Sequence, residues 1–263
     1  WHLTDSSGKI DEQRGVFLQN ISATSQTAAV AEKRTILTEK IQTTEEWQST
    51  PEWDIVKSAI QKDHDVVFKV AYNLDLPPRY IITPVIAEQM RYFNTDRELF
   101  KRVFAPLKIL GNLTQFSWGV SGVKEQTAIQ IENNLKDKNS PYYLGESFEH
   151  LLDFKTANVS QERFERITDK HDRYYAYLYA GIFMKQIINE WKIAGYDISE
   201  RPDILATLYN IGFAHSAPNA TPEVGGSIIN IGSKAYSFGS LAGSFFESSE
   251  LEMEFPKTLG IAK

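Results

Sequence analysis

Glu88 lies near the end of the segment PPRYIITPVIAEQMRYFN, residues 77 to 94, an apolar stretch with almost no charge ahead of it. A carboxylate buried without a partner costs several kcal/mol, or the group keeps its proton and its pKa rises. A carboxylic acid that holds its proton near neutral pH is what general acid catalysis requires. Two readings of Glu88 stand. It is an acid tuned by an apolar wall that includes Val85 and Tyr92, or it is a helix residue that faces solvent or pairs with an arginine such as Arg91. Asp96 and Glu98 follow it by eight and ten residues. Either would serve as the second carboxylate of a hydrolase, where two carboxyl groups flank the bond about 5 to 10 Å apart. In the first turn of a helix the same residues act as ordinary caps.

Other chemistries lack their residues. The five histidines (His2, His64, His150, His171 and His215) show no metal-ligand spacing, and the chain has no cysteine, so no metal site is expected and disulfides are excluded. WGVSGV resembles a nucleophile elbow, but its second glycine directly follows Ser121, which breaks the Gly-x-Ser-x-Gly spacing. GGSIINIG lacks the spacing of a dinucleotide-binding turn, and there is no P-loop. No cofactor is expected. A net charge of −6 without a basic stripe argues against nucleic acid. No apolar run approaches the roughly 20 residues that cross a bilayer. The first residue is Trp1 rather than Met, so removal of a signal peptide or other leading segment is expected.

The elements that must position Glu88 are mostly helical. Residues 10 to 43 read as one long helix or a helical pair. Thr50, Pro51 and Glu52 form a start signal for the helix that follows. Pro84, inside the Glu88 segment, predicts either a kink or a fresh segment beginning there. Further helices are expected in NTDRELFKRVF, KEQTAIQIENNL, ESFEHLLDF, SQERFERI, DRYYAYLYAGIFMKQIINEWKIAG and RPDILATLYNIG. The aromatic run YYAYLYAGIF would either line a sugar groove or belong to the core. From Phe213 onward the chain turns Gly- and Ser-rich, with short β-like runs SIINI and KAYSFG. The expected class is mainly α, with a helical extension over residues 1–74 and a main domain over 75–263 that ends in a Gly-rich lobe with short β segments.

Three separated pieces carry a resemblance. Pro78, Glu88, Phe93 and Asn94 form the first, GVSGVKEQTA at 119 to 128 the second, and AGIFMKQI at 180 to 187 with LATLYNIG at 205 to 212 the third. Their order and spacing are similar to those of the lysozyme-like lytic transglycosylases and goose-type lysozymes, over roughly residues 75 to 215. In that family the catalytic helix ends in Glu-Ser-x-Phe-Asn, a Gly-Leu-Met-Gln turn follows, and a later helix carries Ala-Tyr-Asn-Ala-Gly. This chain departs from the pattern. Gln89 replaces the serine, two residues are inserted before Phe93, Gly122 falls on the glycan-contacting glutamine, and Met184 on a tyrosine. A rival alignment puts Gln115, which cannot donate a proton, at the acid's position.

The resemblance implies a lysozyme-like fold with Glu88 as a single general acid on β-1,4 bonds of peptidoglycan. Tyr209 and Asn210 would hold sugar or acid, Gly119 and Ser121 of the small-residue turn would bind substrate, and Tyr143 would wall the groove. Transglycosylation by the substrate's own hydroxyl would need neither Asp96 nor Glu98. An acidic protein would also suit glycan that has lost N-acetyl groups and carries amines. The enzyme would act as a monomer, in the periplasm or outside the cell. The departures keep a second reading open, a catalytically weakened module that binds glycan or builds an envelope assembly. A plain all-α interaction protein is the third.

Overall fold

The computed structural model describes residues 44–95 and 119–259. From Glu45 onward they belong to one compact unit, and the fold is mainly helical. The expected helices at 10–43 and in NTDRELFKRVF lie outside the described residues, as do Asp96, Glu98 and Gln115.

Helix α1 (Pro51–Lys62) starts where its signals place it: the Thr50 side chain accepts from the Trp53 amide and Pro51 occupies the first turn. It buries Trp53, Val56 and Ile60, one stripe at helical spacing. Asp63 breaks the chain into α2 (His64–Leu74), which buries Val67, Val70, Ala71 and Leu74. Both helices pack on α3 (Pro78–Thr95), so residues 51–74 share a core with the Glu88 helix.

Helix α3 lies at the centre of this unit, and every residue from Pro78 to Glu88 is buried. Pro84 opens no fresh segment, and a single helix runs through it. Proline lacks an N–H and leaves the carbonyl one turn back without its usual donor. The neighbouring turn is tied by the Thr83 hydroxyl, which donates to the Arg79 carbonyl at 2.6 Å.

Helices α6 (Tyr174–Ile193) and α7 (Pro202–Ile211) pack on α3, while α4 (Glu125–Lys136) and α5 (Val159–Thr168) pack on α6. Helix α6 is buried on nearly all sides and ends at Ala194, followed by Gly195 at φ +89°. Its aromatic run is core: the Tyr177 hydroxyl donates to Asp63 and the Tyr179 hydroxyl to Glu132, which Arg163 also grips at 2.6 Å. ESFEHLLDF does not form the expected α-helix; it makes a single 3-10 turn, Glu146–Phe148.

Strands β1 (Ile228–Ile231) and β2 (Lys234–Ser237) pair antiparallel, with Ile229 opposite Tyr236. Helix α8 (Phe238–Glu247) follows, in a stretch whose glycines and serines gave no helical expectation. Those glycines are what its packing requires. A Cβ on Gly239 would fall 2.0 Å from the Thr207 hydroxyl oxygen, and one on Gly243 would fall 2.9 Å from the Asp203 Cβ, both on α7. The end of α8 is held by a buried guanidinium: Arg79 of α3 donates to the carbonyls of Phe245, Phe246, Ser248 and Glu250 at 2.7 to 2.9 Å. A cation at the negative end of a helix satisfies carbonyls that have no partner within it. Burial pushes the Arg79 pKa down to about 10, against the pull of Glu252, Glu247 and Glu250.

Candidate active site

The segments singled out in the sequence meet around Glu88. Helix α3 delivers the carboxyl, the turn 119–122 lies against it, and α7 supplies Tyr209. Glu88 is 4% exposed. Gly122 sits so close that a Cβ there would fall 2.3 Å from both Cγ and Oε1 of Glu88. Gly122 has φ +65°, a left-handed conformation that costs little only for glycine. No side chain fits at 122 with Glu88 in place, which explains physically why this chain has no glutamine there.

The turn is pinned from three sides. Gln89 on α3 donates through Nε2 to the Val120 carbonyl at 2.7 Å. Tyr209 on α7 donates through its hydroxyl to the Ser121 carbonyl, also at 2.7 Å. Gly119, at φ +60°, lies so close to the Ile167 carbonyl of α5 that a Cβ would fall 2.2 Å from its oxygen. Gln89, which stands where the resemblance expects serine, therefore positions the turn. The sequence signal for this role was present, since a polar residue beside Glu88 on a buried helix needs a partner.

Tyr209 is the inner wall. It stacks on Phe183 with ring centroids 5.0 Å apart, and Phe183 continues to Phe213 and on to Tyr142. Burial pushes the Tyr209 pKa well above its ordinary value, and the charge of Glu88 adds to the effect. The phenol therefore stays a neutral donor across the physiological range. The Ser121 hydroxyl is buried and has no hydrogen-bond partner among the described residues.

Of the two sequence readings of Glu88, the pairing with Arg91 is the one observed. Arg91 Nη2 donates to Glu88 Oε1 at 2.6 Å and Nε donates to Oε2 at 3.1 Å. The carboxyl is buried as the apolar wall predicts, but it is not left without a partner. The fork meets both oxygens, the bidentate arrangement of an arginine–carboxyl pair. Burial is the largest influence and opposes the charge on Arg91, but its hydrogen bonds to Glu88, the charge of Glu88 and the interactions with Tyr92 together outweigh it and raise the Arg91 pKa. The guanidinium also lies over the Tyr92 ring, 4.8 Å from its centroid.

Two of the expected sugar contacts turn elsewhere. The Asn210 side-chain oxygen accepts from the amide of Ser227 at 2.8 Å and from its hydroxyl at 3.1 Å, so this residue anchors the loop that leads into β1. Tyr143 donates its hydroxyl to Glu149, and Asn189 of α6 fixes its loop by donating to the carbonyls of Pro141 and Tyr143. The neighbouring Tyr142 packs on Phe213 and sits beside Glu190. Burial raises the pKa of Glu190.

Among the described residues no group of three or more His, Cys, Asp or Glu side chains is placed to hold a metal ion, and no helix is long and apolar enough to cross a membrane. No protein-family model, curated protein or solved structure matches the chain.

Proposed function

We propose that this protein is a peptidoglycan-cleaving glycosidase of lysozyme-like fold, with Glu88 as its single general acid and a site of action in the periplasm or outside the cell. One observation carries the reading. Three segments far apart in sequence, each resembling a motif of that enzyme class, lie around the Glu88 carboxyl: its own helix, the turn at Gly122 and the Tyr209 helix. Accidental matches on an all-α interaction protein would have no reason to meet at one carboxyl group.

In this reading protonated Glu88 gives its proton to the glycosidic oxygen as the bond from that oxygen to the anomeric carbon breaks. The oxygen leaves as a hydroxyl, and Glu88 is left as a carboxylate. The cationic anomeric centre is then taken by water or by a hydroxyl of the substrate itself. Tyr209, which stays neutral, holds the turn that sets Gly122 against the carboxyl. A proton transfer of this kind supplies roughly 10²- to 10⁴-fold. The protein would act as a monomer on the glycan strand, with no cofactor.

The second reading, a glycan-binding module of weakened activity, is favoured by one specific contact. Arg91 donates to both oxygens of Glu88 and so occupies the positions a leaving-group oxygen would need. The experiment that separates the two treats purified peptidoglycan, native and chemically deacetylated, with the protein and with Glu88→Gln, and analyses the products by mass. Soluble fragments from the parent alone establish Glu88 as the acid. An anhydro end, lighter by one water, assigns the attack to the substrate's hydroxyl. Sedimentation of both proteins with the glycan and no release from either favours the binding module.

A further inference from the structure

Glu190, near the end of α6, is a carboxyl that the site around Glu88 does not use. It is half-buried, and its Oε2 is enclosed with no hydrogen-bond partner among the described residues. The titratable group that meets it is the Tyr142 phenol, which burial pushes up to about 12 and keeps neutral. His215, one residue before Ser216, is exposed. The segment that carries Tyr142 is bounded at both ends: the Ser140 hydroxyl donates to Asn134 of α4 at 3.0 Å, and Leu144 packs on the core. Between these ends, residues 141–143 are clasped by Asn189 and Phe213. Asn189, the neighbour of Glu190 on α6, donates to the Pro141 and Tyr143 carbonyls at 2.9 and 3.0 Å. Tyr142 packs edge-on against Phe213 with ring centroids 4.7 Å apart. Its hydroxyl lies 3.5 Å from Ser216 Oγ, the outer limit of a hydrogen bond. The Tyr143 hydroxyl bonds within the same loop, to Glu149.

A neutral carboxyl is tolerated in such a place, whereas a carboxylate oxygen with neither water nor a donor is costly. Burial raises the Glu190 pKa, and the weaker pull of the Tyr142 hydroxyl does not reverse it. We propose that residues 141–143 are a pH-operated flap, closed on Asn189 and Phe213 while Glu190 carries its proton and lifted when Glu190 ionises and admits water to its enclosed oxygen. The closed form binds the proton more tightly than the open one, so it is favoured at low pH. Its advantage shrinks as pH rises from the ordinary carboxylate range to the raised value, then levels. Opening parts Tyr142 from Phe213, the outer end of the aromatic row that runs through Phe183 to Tyr209. The flap stands whether or not Glu88 is an acid.

The test follows the tyrosine rings by NMR in protein labelled with ¹³C-tyrosine, titrated from about pH 4 to about pH 8. Tyr142→Phe identifies the signal. In the parent the Tyr142 signal is expected to leave its position against Phe213 and move towards that of a solvated tyrosine, with a midpoint above the ordinary glutamate value. In Glu190→Gln it is expected to hold the closed position throughout. Asn189→Ala removes both bonds to the loop carbonyls, so the signal should start nearer the open position and its midpoint should fall towards the ordinary value. That variant carries the test if Glu190→Gln fails to fold, and an unchanged midpoint in it counts against the flap. A Tyr142 signal that pH does not move in the parent overturns the proposal. So does the same movement in Glu190→Gln, which would pass the titration to another group such as His215.

Discussion

Gly122→Ala tests how tightly the turn fixes Glu88, because its two costs fall on different observables. The left-handed backbone at φ +65° costs alanine about 1–2 kcal/mol. The new Cβ meets Glu88 at 2.3 Å where ordinary contact begins at 3.4 Å, so the side chain must retreat by about 1.1 Å. A glutamate side chain can make that move, and the added loss of stability is small. For catalysis the same move is large, since a 1 Å misplacement of a reacting group costs about 10²-fold. Gly119→Ala supplies the contrast. Its backbone strain is similar, but its Cβ would meet the Ile167 carbonyl at 2.2 Å, and backbone of α5 cannot step aside as a side chain does. The assay pairs urea unfolding with release of soluble fragments from peptidoglycan. Gly122→Ala is expected to lose roughly 1–2 kcal/mol and about 10²-fold in rate. Gly119→Ala is expected to lose more stability than that. A Gly122→Ala protein that keeps more than about a tenth of the parent rate with its fold intact would refute the argument. The position of Glu88 would then not be set by the turn, or Glu88 would not be the acid.

Other sites give further expectations. Arg79→Met keeps much of the buried stem but leaves carbonyls of the α8 terminus without a donor, and is expected to cost about 3–5 kcal/mol in urea melts with an unchanged slope; a loss under about 1 kcal/mol would mean that the helix end does not depend on the guanidinium. Tyr209→Phe strands the buried Ser121 carbonyl and should cost about 1–3 kcal/mol while it loosens the turn, read as a lower melting temperature together with slower fragment release. Glu190 has a folded pKa raised by burial, so the unfolded chain ionises first and stability falls as pH rises from the ordinary carboxylate range to the raised value, then levels. Glu190→Gln removes that slope, and its melting temperature should gain on the parent across the same window. A constant difference at all pH values would place the origin of the Glu190 shift elsewhere.

The most local features were legible in the residues. Thr50 and Pro51 mark the start of α1 because a cap and its helix are adjacent in the chain. Gly195 closes α6, and the runs SIINI and KAYSFG make the hairpin. Arg91, three residues beyond Glu88 on one helix, could be named as its partner for the same reason. Helix α8 was not legible. Its glycines score against a helix, and their benefit exists only once Thr207 and Asp203 of another helix stand opposite. ESFEHLLDF shows the converse, where apolar spacing suggested a helix and the chain folded into a 3-10 turn.

By itself the sequence determined the mainly helical class, the residue types that could meet in a site, and the carboxyl around which they would have to gather. Only the tertiary structure decided which contacts are real. It seated the Gly122 turn on Glu88, gave Gln89 and Tyr209 the task of holding that turn, turned Asn210 towards the loop before β1, and placed Tyr177 and Tyr179 of α6 in the core. Helix caps and periodicity act within a few residues and can be read along the chain. Burial, orientation and the choice of a hydrogen-bond partner are set by groups that become neighbours only when the chain folds.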